Sequence, residues 1–154
     1  MSPSPQSVAG TSSNSKLLVL VVGDLLMLLI FVVIGRISHG MTSDWLVNVL
    51  RIATPFVVGW AIAALITGAY RPQDWNLPKK FMARSVAAWL LADGLAFLLR
   101  HFVMNDRITM PFALTSIAFT GLFLLVWRIG FLSWHILRKI QRSSDQHNPL
   151  GHSS

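Results

Sequence analysis

The chain has 154 residues, 53% of them hydrophobic and only 12% charged, whereas a soluble domain carries about a quarter charged residues. A soluble fold this apolar would lack polar surface, so lipid is the expected solvent. The net charge of +7 comes from 13 Lys and Arg that gather at the ends of apolar runs; that distribution suits membrane anchoring and argues against nucleic acid. The absence of Cys excludes disulfides, Cys-ligated metals and thiol catalysis.

Residues 1–16 open the chain with Ser, Pro and Gly and no large apolar cluster, and are expected to be a disordered cytosolic tail. The first apolar run gives a span over about 17–36, interrupted only by Asp24. A signal peptide is the competing reading, because Ser38 and Gly40 loosely fit a cleavage site. The apolar region is longer than such peptides use, and a buried Asp would be odd in a discarded one.

Thr42-Ser43-Asp44 then caps a segment with Trp45, Leu46, Val49 and Leu50 at helical spacing, which predicts a short interfacial helix. The second span, about 52–70, carries no charge and places Pro55 in its expected first turn, where a missing N–H costs least. Gly59, Ala63 and Thr67 recur every fourth residue, a small-residue stripe that admits a neighbouring helix.

A polar, proline-bearing loop over 71–80 leads to the third span, about 81–99, with Arg84 near its start and Asp93 inside it. A short turn through Arg107 opens the fourth span, about 108–132, with Pro111 in its first turn. Beyond Trp127 the helical pattern continues, and Arg128, His135, Arg138, Lys139 and Arg142 fall within about a third of the circumference. This basic amphipathic end suits anionic lipid headgroups. Residues 143–154 are expected to be a second disordered tail, leaving 17–142 as the membrane domain. The fold class is therefore all-α, a four-helix membrane bundle.

Orientation follows from the basic residues. With the amino terminus inside, nine Lys and Arg lie at the inner side and four at the outer, which predicts both termini in the cytoplasm. Arg51-Ile52-x-x-Pro55-Phe56 and Arg107-Ile108-x-x-Pro111-Phe112 repeat one pattern at the starts of spans two and four. Two tandem helical hairpins would produce it, as would the ordinary use of Arg and Pro at helix openings.

The candidate functional residues are polar groups at lipid depth. Asp24 follows Lys16 by eight residues and Asp93 follows Arg84 by nine, which puts both roughly 12–14 Å from the inner boundary, near mid-membrane. An ionised carboxylate there costs about 2.5–3.5 kcal/mol on insertion scales, so each must face the bundle. They either tie helices together, in company with Thr54, Ser116 or Thr120, or serve an ion or proton. Arg128 is expected to snorkel to the inner headgroups; the alternative is a counter-charge in one polar layer with Asp24 and Asp93.

At the outer ends, Arg36-x-x-His39 and Arg100-His101 bring two histidines that could share a metal, although without carboxylate or thiol support they read as solvated and no metal or cofactor is expected. Trp45, Trp75, Trp127 and Trp134 suit the interfaces, and Trp60 and Trp89 the interior. No phosphate loop, nucleophile elbow or zinc-protease motif is present, and the chain has no Glu, so no enzyme is expected. Expected partners are the bilayer, anionic headgroups, and a second copy or another membrane protein. Two functions stand open, a non-enzymatic membrane component and a small oligomeric transporter or proton-coupled permease using Asp24 and Asp93.

Gly23-Asp24-Leu25 through Phe31, closing in Gly35-Arg36-x-Ser38-His39, with Thr54-Pro55-Phe56 opening the next span, resembles a bacterial family of small four-helix membrane proteins, domain of unknown function 3054. The resemblance implies four spans in a bacterial inner membrane, covers about Leu17 to Arg138, and brings no assigned activity or site residue.

Overall fold

A computed structural model describes residues 9–38, 40, 44–105 and 107–147. Four helices form it: α1 (Ala9–Ser38), α2 (Trp45–Thr67), α3 (Pro78–Phe102) and α4 (Met110–His147). A 3-10 turn, Pro72–Asn76, joins α2 to α3, and the described residues contain no strand. Each helix packs on its sequence neighbour and α4 closes back on α1, giving an antiparallel up-down bundle. One end carries the α2–α3 turn, the start of α1 and the end of α4; the opposite end carries the other two connections. All four helices are long and apolar enough to span a membrane.

The outer surface bears large apolar side chains, with Leu65, Phe102 and Met110 each more than 70% exposed, while Asp24, Ser85, Asp93, Ser116, Thr120 and Arg128 are buried. That inversion fits a lipid solvent, where helices gain little from burying apolar area and associate through close packing and hydrogen bonds. The small-residue stripe does this between α2 and α3: Gly59 lies so close to α3 that an added Cβ would sit 2.6 Å from the Ala92 carbonyl oxygen. Ala63 beside it is completely buried, as are Ala88 and Ala96 across the interface.

Several boundaries differ from expectation. The helix of α1 begins at Ala9 and that of α4 ends at His147, so parts of both expected tails are helical; adding residues to an already nucleated apolar helix costs little. The remaining tail residues, like Thr42 and Ser43 of the expected cap, lie outside the described set. Asp44 precedes α2 in the left-handed region, φ 45°, and makes no side-chain cap. The expected interfacial helix is continuous with span two, which puts Pro55 inside α2 rather than in its first turn. Pro55 has no N–H to give the helical ladder, a loss that membrane helices tolerate where neighbours pack against them. Pro111, by contrast, is the second residue of α4, so the two copies of the Arg-Ile-x-x-Pro-Phe pattern open different local structures.

Candidate functional site

Gly68 ends α2 in the left-handed conformation, φ 66°, its N–H returning to the carbonyls of Ala64 and Leu65. Glycine takes this conformation without a Cβ clash, and the next N–H, from Ala69, closes onto Ala64 O at 3.0 Å. The chain therefore turns inward instead of leaving the bundle. It delivers the Ala69 carbonyl and the Tyr70 hydroxyl to the interior, where they meet Arg128 and Asp24.

The Arg128 guanidinium is the centre of that interior. Its Nε donates to Asp24 Oδ1 at 3.1 Å and its Nη2 to Asp24 Oδ2 at 2.6 Å. Nη1 donates to Ala69 O at 3.1 Å and to Ser85 Oγ at 3.0 Å, and the Ser85 hydroxyl in turn donates to Phe81 O. Tyr70 donates to Asp24 Oδ2 at 2.7 Å and accepts from Trp60 Nε1 at 2.8 Å. The rings of Trp60, Tyr70 and Phe81 surround the cation, their centroids 4.9, 5.1 and 5.6 Å from its central carbon. Arg128 on α4 is thus tied to α1, to α3 and to the chain just past α2.

Neither side chain of the pair has any solvent exposure. Two charges in that setting are tolerable only because the bidentate geometry is good and the remaining donors are used. The expectation that Arg128 snorkels is therefore corrected. Its own helix continues well past it, to His147, and a carboxylate on α1 neutralises it inside the bundle. The close approach of α1 and α4 has its own cause one residue away on each helix. An added Cβ at Gly23 would lie 2.0 Å from the Trp127 ring, so the indole lies directly against a glycine.

Asp93 does not join this cluster, and the single polar layer of all three residues is not formed. Its Oδ2 accepts from Thr120 Oγ1 at 2.7 Å, and Thr120 lies eight residues, about 12 Å, from Arg128 along α4. Trp89 Nε1 donates to Thr120 Oγ1 and to Ile117 O, each at 3.2 Å. Gly121 makes room for that indole, since an added Cβ would meet the ring at 2.4 Å. Among the described residues no basic side chain pairs with Asp93. Asp93 lies deep in the bundle, near the level of Gly59, whereas Asp24 lies level with the end of α2. Thr54 takes no part in either group, being exposed and bonded to Leu50 O.

A third buried acid, Asp74, stands in the turn itself. It pairs with Arg84 Nη1 at 2.5 Å and Lys80 Nζ at 3.4 Å, and Arg84 also reaches Gly68 O. Its neighbour Trp75 is buried against Phe131, ring centroids 5.6 Å apart, and His135.

The other candidates are scattered. Arg36 is buried and Arg100 half-buried at the opposite end of the bundle. His101 is exposed beside Phe102, and His39 lies outside the described residues. Arg138 stacks 4.3 Å over the Trp134 ring, Lys139 donates to Asn76 Oδ1 at 3.2 Å, and the side chain of Arg142 lies outside the described set. Among the described residues no three His, Asp or similar ligands gather as a metal would require. Tyr70, Ser85 and the Ala69 carbonyl escaped sequence reasoning, and Trp60 was expected only as an interior packing residue. The available signal was the sole Tyr of the chain two residues after a glycine at a span's end.

No curated protein and no solved structure matches the chain. A family profile does match, over residues 21–131, a stretch containing Asp24, Tyr70, Asp93 and Arg128 but not the basic end of α4. The chain belongs to that family, described as Protein of unknown function (DUF3054).

Proposed function

We propose that the protein is a non-enzymatic, multi-pass component of a bacterial inner membrane, acting through helix packing and through contact with lipid or a membrane partner, a second copy included. The observation that supports this best is the commitment of Asp24. Both of its carboxylate oxygens are taken by Arg128 and Tyr70, which makes the acid a tie between helices rather than a group free to exchange a proton. Both termini face the cytoplasm in this reading, from the excess of Lys and Arg at that end. Arg138, Lys139 and Arg142 then lie against anionic headgroups, each contributing about 1 kcal/mol of attraction.

The competing function, a small oligomeric proton-coupled permease, rests on Asp93, the deep acid with no basic partner among the described residues. Purified protein in liposomes containing a pH-sensitive dye separates the two. The packing function predicts proton entry no faster than in protein-free vesicles under an imposed gradient. Entry that depends on the protein and disappears in Asp93→Asn, with folding intact, would replace it with the permease.

A further inference from the structure

At the end of the bundle away from the α2–α3 turn, α1 and α4 separate. Near Asp24 the same two helices touch through Gly23 and Trp127, but a cavity of about 790 Å³ opens between them farther along. That volume lies in the range of about 300–1,000 Å³ typical of small-molecule sites. Phe31 of α1 and Phe112, Phe119 and Phe123 of α4 line it, and Arg36 and Arg100 contribute its charge. Among the described residues, no carboxylate lines it.

The order of these groups along the helices matters. The aromatic side chains extend toward the bundle's middle, while Arg36 and Arg100 stand near the ends of α1 and α3, where a bilayer's headgroups would be. Arg36 lies 5.7 Å from the Trp45 ring and Arg100 4.9 Å from the Phe112 ring, so both guanidiniums are steadied by an aromatic face. A guanidinium has five donors in a fixed fork that suits phosphate oxygens. A slot that is apolar in its depth, doubly cationic at one end and set between two membrane spans has the polarity of an anionic amphiphile.

We propose that this cleft holds one anionic phospholipid, its phosphate against Arg36 and Arg100 and one acyl chain along Phe31, Phe119 and Phe123. The proposal rests on the membrane setting of the bundle and not on the packing role of Asp24. It concerns the end opposite the basic segment of α4. Gly35 supplies a way to block the slot without touching its charge. The residue lines the cavity, and an added Cβ there would meet nothing within 4 Å, so the side chain of Gly35→Leu starts in open space.

The test is native mass spectrometry of the delipidated full chain in detergent, titrated with phosphatidylglycerol and, separately, with phosphatidylcholine. The expected result is a single bound phosphatidylglycerol per chain, at least about tenfold tighter than phosphatidylcholine, and weakened by a similar factor in Arg36→Gln/Arg100→Gln and in Gly35→Leu. Equal binding of the two lipids by the unaltered chain would overturn the proposal, as would phosphatidylglycerol binding indifferent to Gly35→Leu. A dimer that forms without lipid and is lost in Gly35→Leu would overturn it too, by giving the cleft to a second copy. The lipid comparison uses the unaltered protein, so a folding defect of the double Arg variant leaves the test decisive.

Discussion

Arg128 and Asp24 are 104 positions apart in the chain and meet through two hydrogen bonds from one guanidinium to both oxygens of one carboxylate. This contact closes the bundle, because it joins the first helix to the last while the same cation reaches α3 and the chain just past α2.

Lysine cannot replace Arg128. An ammonium keeps the charge but is a single point with no planar fork, and it cannot bond both Asp24 oxygens, Ala69 O and Ser85 Oγ at once. Arg128→Lys is expected to lose about 2–3 kcal/mol, read as a lowered unfolding midpoint in detergent. A midpoint equal to that of the unaltered protein would show that charge alone suffices.

Tyr70→Phe removes the hydroxyl between Trp60 and Asp24 and leaves the indole N–H with no acceptor. The expected cost is about 1–2 kcal/mol. Tryptophan fluorescence should shift as well, because Trp60 loses its partner. An unchanged midpoint would mean that the Trp60–Tyr70–Asp24 chain contributes nothing net.

Two glycines should respond oppositely to alanine. Gly59→Ala forces a methyl group into the Ala92 carbonyl oxygen and should cost about 1–3 kcal/mol, since backbone cannot move aside. At Gly94 an added Cβ meets nothing within 4 Å, so Gly94→Ala should be neutral or stabilising by up to about 1 kcal/mol. Thermal unfolding of both variants in one detergent checks the contrast, and equal effects would contradict the close α2–α3 packing.

Topology is directly testable, because the chain has no Cys and single introduced thiols can be labelled without background. A Cys at Ser154 should react with an impermeant maleimide only from the cytoplasmic side, and one at Asn105 only from the other. The reverse pattern would invert the proposed orientation.

The four helices were legible in the sequence because length and apolarity are properties of each segment alone. Asp24 was legible for the same reason, a carboxylate at lipid depth being costly wherever its helix points. The identity of its partner was not. Whether Arg128 snorkels or turns inward depends on the rotation of α4 relative to α1, which no single segment encodes, and an Arg at the end of an apolar run suits either outcome. The inward turn at Gly68 and the delivery of Tyr70 were hidden similarly, since glycine ends many helices without folding the next residues into a core. Asp93 and Thr120 were both picked out as interior polar residues, but their pairing with one another came only from the α3–α4 register.

The most direct measurement is a double-mutant cycle on the central pair, Asp24→Asn and Arg128→Gln, followed by unfolding in detergent micelles. Each single change should cost about 3–5 kcal/mol, because it strands the other charge in a buried site. The double variant should lose no more than the worse of the two singles, a coupling of several kcal/mol. Losses that simply add would contradict the account, since they would mean that Asp24 and Arg128 stabilise the bundle independently of one another.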